Sequence, residues 1–272
     1  MDGIFNGNSF FESGQKSIKI RKVTMFKDRI IDIDNIKHEI DQYRPLSAHV
    51  ISMLKEYFRI GLTYSSNALE GNTLTETETK VILEDGLTIG GKTMREHFEV
   101  IGHSQAYDFM WKKAHDDSFS EEDIRTLHHL FYYRIDEGNA GNYRKVPIFV
   151  SGTDFEFPKA SEIAALMNDF LHKIPELKKQ YHPVYFAALL HIHLVTIHPF
   201  IDGNGRTARL LMNLALLQSG YVITIIPPIM RSAYISAIQK ANKNNVTPFL
   251  HFISEMVYES SKEYLRLIKS AI

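Results

Sequence analysis

The chain has no cysteine among its 272 residues. A disulfide scaffold, a thiolate metal site and a cysteine nucleophile are therefore excluded together. An excess of charge is missing too: 31 Lys and Arg stand against 32 Asp and Glu, a formal net charge of −1. That balance argues against broad wrapping of nucleic acid, which needs a strong basic surplus. Met1 to Gln15 lacks a basic stretch followed by an apolar run, so this end does not read as a signal peptide. One long stretch, Tyr181 to Ile201, carries no Asp, Glu, Lys or Arg. It has the length of a bilayer span. Yet His182, His191, His193, His198, Pro183 and Pro199 fall inside it, and a buried core helix is the expected reading. The expectation is a soluble, cytoplasmic protein with neither membrane nor nucleic acid as partner.

What is present points to an ordered, mostly helical chain. Apolar residues make up 44% and aromatics 11%, which excludes a disordered or low-complexity sequence. At roughly 150 residues per domain the length allows one or two. Residues 1–18 read as a flexible segment, 19–90 as N-terminal helices and 91–272 as the main body. Helices are expected over 32–43, 48–69, 76–84, 95–115, 121–133, 161–173, 183–197, 206–219, 231–242 and 247–269. In the second of these, Ile51, Leu54, Phe58 and Leu62 recur at spacings of three and four and predict one buried face. Gly71 suits the left-handed position after its end. Thr75 with Glu78 predicts a capping box, and Ser118 or Ser120 a cap. Lys145 to Val150, the turn chemistry of Ser151, Gly152 and Thr153, and Phe155 to Phe157 together predict a single β-hairpin.

The chemistry concentrates in His198-Pro-Phe-Ile-Asp-Gly-Asn-Gly-Arg-Thr-Ala-Arg209. One helix ends before this segment and another begins inside it. Gly203, Asn204 and Gly205 can take positive φ and turn backbone N–H groups into an anion nest, reinforced by the helix N-terminus. Arg206 and Arg209, three apart, share a helix face and can reach one anion. Asp202 beside that nest makes sense if a hard cation such as Mg²⁺ bridges it to phosphate. His198 is the nearby side chain whose ordinary pKa suits proton transfer at neutral pH. Taken one by one, a turn and a packed core histidine explain the same residues. His191 and His193 read as core residues rather than zinc ligands, because helical spacing separates His193 from the other two and puts His191 and His198 two turns apart.

This segment resembles, position by position, the pattern His-x-Phe-x-Asp/Glu-Gly-Asn/Lys-Gly-Arg-x-x-Arg of the Fic family, and the similarity extends over about 66–257. The resemblance implies a helical enzyme with a β-hairpin flap that transfers AMP from ATP to a Ser, Thr or Tyr hydroxyl of an unknown target protein. It implies His198 as the base, Asp202 as the residue holding Mg²⁺, and Gly203, Asn204, Gly205, Arg206, Thr207 and Arg209 around the phosphates. Asn204, where phosphorylating relatives carry lysine, matches the AMP-transferring type. Tyr234 and Asn242 fall where relatives contact adenine; a buried tyrosine and a helix-end asparagine are the plain alternatives. The flap, with Ser151, Gly152 and Thr153, would hold target backbone, or be a structural hairpin only.

A second segment, Ser66-Asn-Ala-Leu-Glu70-Gly71, places an acid in a last helical turn, where the dipole disfavours it. Solvation or a cationic partner would satisfy it. The segment is similar to the family's inhibitory motif Ser/Thr-x-x-x-Glu-Gly/Asn, which implies that Glu70 pairs with Arg209 and that 19–90 includes an inhibitory helix. The same glutamate serves AMP removal in some relatives, so a hydrolase and an ATP-binding regulatory module remain as alternatives. Homodimerisation is a further implication of the resemblance.

Overall fold

The computed structural model describes residues 26–150 and 153–272. Ten α-helices make up the described chain: α1 Ile30–Asp41, α2 Ala48–Ala68, α3 Glu76–Lys80, α4 Met94–Lys113, α5 Glu121–Tyr132, α6 Ile163–Gln180, α7 Pro183–Ile197, α8 Asn204–Gln218, α9 Arg231–Asn242 and α10 Thr247–Ala271. The segment 1–18 expected to be flexible lies outside the described residues, as do Ser151 and Gly152.

The charge-free stretch explains the architecture. α7 is apolar on every side and twelve of its fifteen residues are buried, so it lies at the centre of the bundle rather than on its surface. Its partner α8 is sandwiched. Ala208, Leu211, Met212 and Ala215 face the cluster shared with α6, α7, α9 and α10. Leu210 and Leu214 face a second cluster built on α2, α4 and α5. The two central helices are joined by only 198–203, so the motif loop sits at one end of the core with rigid elements on both sides. Among the described residues no helix is long and apolar enough to cross a membrane.

Capping chemistry sets the boundaries. Ser47 accepts from the Val50 N–H at 3.3 Å, and Thr75 with Glu78, Thr93 with Glu96 and Ser120 with Asp123 form capping boxes. α2 closes in a Schellman pattern, Asn72 N–H to Asn67 O and Gly71 N–H to Ala68 O, each 3.1 Å, with Gly71 at φ +99°. α1 runs alongside α10 in the same direction, pinned by Arg29–Glu255 at 3.0 Å and Lys269–Glu39 at 2.5 Å.

Two expectations are corrected. Ile51 is 42% exposed, and Val50 takes its place on the buried face of α2 with Leu54, Phe58 and Leu62. The helix expected to end at Lys173 continues to Gln180 through Pro175, because Pro175 faces solvent, where water can serve the carbonyl it leaves unbonded. No strand is assigned to the described residues of 145–158. A lone two-stranded hairpin is marginal in water, and this segment is held at its base by one side chain instead. Arg144, 2% exposed, donates to Val146 O at 3.1 Å and Pro158 O at 2.6 Å.

Candidate active site

The motif loop is built from its buried anchor outward. Phe200, fully buried, stacks on the His128 ring at 3.8 Å between centroids and 2° between planes. His128 Nδ1 accepts the Gly141 N–H at 2.9 Å, so its proton is on Nε2, which donates to Asp202 O at 3.0 Å. Asn204 closes the loop from the other side: its Oδ1 accepts the Phe200 N–H and its Nδ2 donates to Phe200 O, both at 2.9 Å. The Asn204 side chain is thus spent on loop shape. Of the three residues expected at positive φ, only Gly203 has it, at +75°; Asn204 and Gly205 are already helical and open α8.

His198 ends α7 in the left-handed conformation, φ 53° and ψ 59°. Its Nδ1 lies 3.0 Å from Val195 O. A carbonyl only accepts, so Nδ1 carries the proton and Nε2 keeps a lone pair. Burial pushes the imidazole below its ordinary value, the Val195 hydrogen bond opposes this, and the Arg144 charge adds to it. The Phe157 ring packs against it at 4.5 Å. The result is a neutral, oriented histidine.

Asp202 and Arg206 belong to a closed ring of ion pairs. Arg206 meets Glu99 at 3.1 Å and Asp202 at 3.4 Å; Arg95 meets the same Glu99 at 3.4 Å and the other Asp202 oxygen at 2.7 Å. The Arg206 guanidinium also lies over the Phe131 ring at 4.2 Å. Asp202 Oδ1 takes the Gly203 N–H at 2.6 Å.

Arg209 is 1% exposed. Its Nε donates to Ser66 Oγ at 2.9 Å, its Nη2 to Ser66 O at 2.8 Å and to Glu70 Oε1 at 2.7 Å, and its Nη1 to Tyr234 Oη at 3.1 Å. Burial raises the Glu70 pKa, but the charges of Arg209 and Arg206 outweigh it and hold the carboxyl below its ordinary value. The same carboxylate stands over the first turn of α8: a Cβ on Gly205 would collide with Glu70 Oε1 and come within 3.1 Å of Arg209 Nη1. An anion already occupies the end of the helix where the dipole and two arginines favour one.

Other expected residues fall elsewhere. Thr207 is buried, and its hydroxyl donates to Gly203 O at 3.0 Å. Tyr234 is 2% exposed, walled in by Phe249 and Phe252. Asn242 accepts from the Thr196 hydroxyl at 2.9 Å and lines a cavity of about 260 Å³ with Thr153, Asp154, Phe155, Glu156, Gln239 and Lys243. Tyr234 and Asn242 do not converge on one space. Among the described residues no three His, Asp or Glu side chains are grouped to hold a metal.

The Fic/DOC family model matches residues 118–216. The chain is 34% identical over 245 residues to a protein adenylyltransferase Fic of Drosophila grimshawi, covering 89% of this chain and 50% of the relative. It is 30% identical to the solved structure of a variant of the aa134–508 fragment of C. elegans Fic-1, covering 88% of this chain and 71% of that one with a TM-score of 0.77. The chain belongs to the Fic/DOC family. A Fic domain containing signaling protein of Bacteroides thetaiotaomicron shares the fold at a TM-score of 0.80 and 26% identity, over 89% of this chain and 97% of that one. The chain spans about half the length of the curated relatives it matches.

The Fic/DOC pattern contains His198 to Arg209 but not the residues that shape it. Arg95, Glu99 and His128 are not signalled by any sequence motif, nor is Arg231, whose Nε donates to Leu69 O at 2.8 Å beside Glu70. Arg144, the last residue of Gly141-Asn-Tyr-Arg144, resembles the family's Gly-x-Tyr-Arg approach to the flap and takes the structural place that this resemblance implies. The hydrogen bond between Arg95 and Asp202 spans 107 positions, and no local spacing announces such a pair.

Proposed function

We propose that this chain is a protein adenylyltransferase that moves AMP from ATP to a Ser, Thr or Tyr hydroxyl of a target protein and is held back by Glu70. The observation carrying this reading is the Glu70 carboxylate itself, set on Arg209 and over Gly205, in the space a phosphate tail would need. The relatives' name supports the transfer chemistry.

In this reading the target hydroxyl gives its proton to His198 Nε2. Its oxygen bonds to the α-phosphorus, and the bond to the bridging oxygen breaks, with the electron pair leaving on pyrophosphate. Arg206, Arg209 and the first N–H groups of α8 stabilise charge on the phosphates. Asp202, a half-exposed hard carboxylate at 41%, is the residue that would hold a Mg²⁺, and the ion would supply neutralisation of phosphate charge. The described residues of 145–158, with Phe149 95% exposed, serve as the flap and pair with target backbone by strand addition.

The test is intact-mass analysis after incubation with ATP and Mg²⁺. Glu70→Gly gains adenylyl groups faster than wild type, and Glu70→Gly with His198→Ala gains none. Equal labelling of wild type and Glu70→Gly would remove the restraining role of Glu70; no labelling of any variant with target-rich extract present would remove the transferase reading.

A further inference from the structure

Tyr234 and His191 have no task in the reaction as drawn, yet both are built into the site. The Tyr234 hydroxyl lies 3.1 Å from Arg209 Nη1 and 2.8 Å from His191 Nε2. A guanidinium N–H only donates, so the Tyr234 oxygen accepts from Arg209 and sends its own O–H to His191 Nε2. The His191 proton is then on Nδ1, which is buried with no hydrogen-bond partner. Burial also keeps the imidazole far below its ordinary pKa and hence neutral.

The remaining contacts of Arg209 come from one place. Ser66 and Glu70 both lie at the end of α2, the element whose carboxylate must withdraw before a phosphate enters. Tyr234 is on α9 and His191 on α7, elements anchored in the other core cluster. We propose that Tyr234 and His191 are positioning residues for Arg209, keeping its guanidinium aimed at the Gly205 end of α8 once Glu70 leaves. The phosphate tail then meets an arginine already in place. This takes Tyr234 away from the base: its ring is enclosed by Phe249 and Phe252, and Asn242 faces a different cavity. The inference rests on the ATP-dependent reading above.

Calorimetric titration of ATP and of AMP into Glu70→Gly and Glu70→Gly with Tyr234→Phe separates the possibilities, with melting curves checking the fold. ATP binds the double variant about tenfold more weakly, the scale of one lost hydrogen bond to a charged group. AMP, which lacks the phosphate tail, binds both alike. His191→Phe, which removes the acceptor and keeps a ring, gives the same ATP-selective loss and carries the comparison if Tyr234→Phe melts early. Parallel weakening of ATP and AMP in a folded variant would place Tyr234 on the base and overturn the inference. Unchanged ATP binding would show Ser66 alone sufficient and overturn it as well. No ATP binding by Glu70→Gly with Tyr234 intact would instead remove the nucleotide reading, and this inference with it.

Discussion

Arg95 Nη2 lies 2.7 Å from Asp202 Oδ2, on the one carboxylate that the proposed reading assigns to a divalent cation. The arginine is 55% exposed and sits on α4, whereas the second arginine on Asp202, Arg206, is buried and fixed by Glu99. The more exposed arginine of the ring is therefore the one that would compete with the proposed cation for Asp202.

Removing that competitor changes cation affinity. A half-exposed ion pair contributes up to about 1 kcal/mol, so Arg95→Ala binds Mn²⁺ a few-fold more tightly in the presence of ADP. Electron paramagnetic resonance of free Mn²⁺ reads this without turnover. Weaker binding in the variant would make Arg95 a helper of the cation rather than its rival.

The proton-accepting role proposed for His198 has a pH signature. Burial lowers its pKa from the ordinary 6.5, so the neutral, base-competent form persists below that pH. Adenylyl transfer by Glu70→Gly keeps its rate as pH falls through 6.5 and declines only further into acid. A pH–rate profile whose acid limb falls at or above 6.5 contradicts this.

Glu70 contributes stability that is lost in acid. Its carboxyl is held below the ordinary 4.5 in the folded chain, so the unfolded chain binds the extra proton as pH drops below 4.5. The contribution is full above 4.5 and fades as pH falls through the folded value. Glu70→Gln costs about 1 kcal/mol at pH 7, and the gap to wild type narrows in acid. Urea unfolding at pH 7 and below 4 measures both.

His128 is a structural prediction independent of catalysis. It is buried, with its pKa lowered to about 4. Between 6.5 and about 4 the unfolded chain alone takes up that proton, so His128 makes stability fall as pH drops through this window. His128→Phe keeps the stack on Phe200 but loses the bonds to Gly141 and Asp202. It lowers stability by about 1–3 kcal/mol at pH 7 and flattens the decline between pH 6.5 and 4. Thermal melts across this range check both effects.

Much of this was legible in the sequence because it is local. α7 and α9 begin and end where Pro183, Ile197, Arg231 and Asn242 suggested. Thr75 and Glu78 cap α3; the contact of Glu70 with Arg209, 139 positions apart, was legible only through the family resemblance. The rest depends on neighbours distant in the chain. Periodicity does not tell Ile51 from Val50 until α4, α8 and α10 surround α2. A proline reads as a stop unless solvent covers it, as at Pro175. Tyr234 and Asn242 share a helix face by spacing, yet the Arg209 guanidinium claims one and Thr196 the other. The ring of Arg95, Glu99, Arg206 and Asp202 joins α4 to the motif loop and exists only in the folded chain.

The Schellman turn at Gly71 and Asn72 has a consequence for dose and response. Glu70 is no diffusing inhibitor; on the proposed reading its carboxylate is a tethered rival at millimolar or higher effective concentration. Diluting the protein cannot release it, and adding nucleotide relieves it only against that fixed local concentration. What sets the threshold is the stiffness of the last turn of α2. Anything that frays those few residues lowers the rival's local concentration and raises activity by degrees, without touching a single residue that binds phosphate.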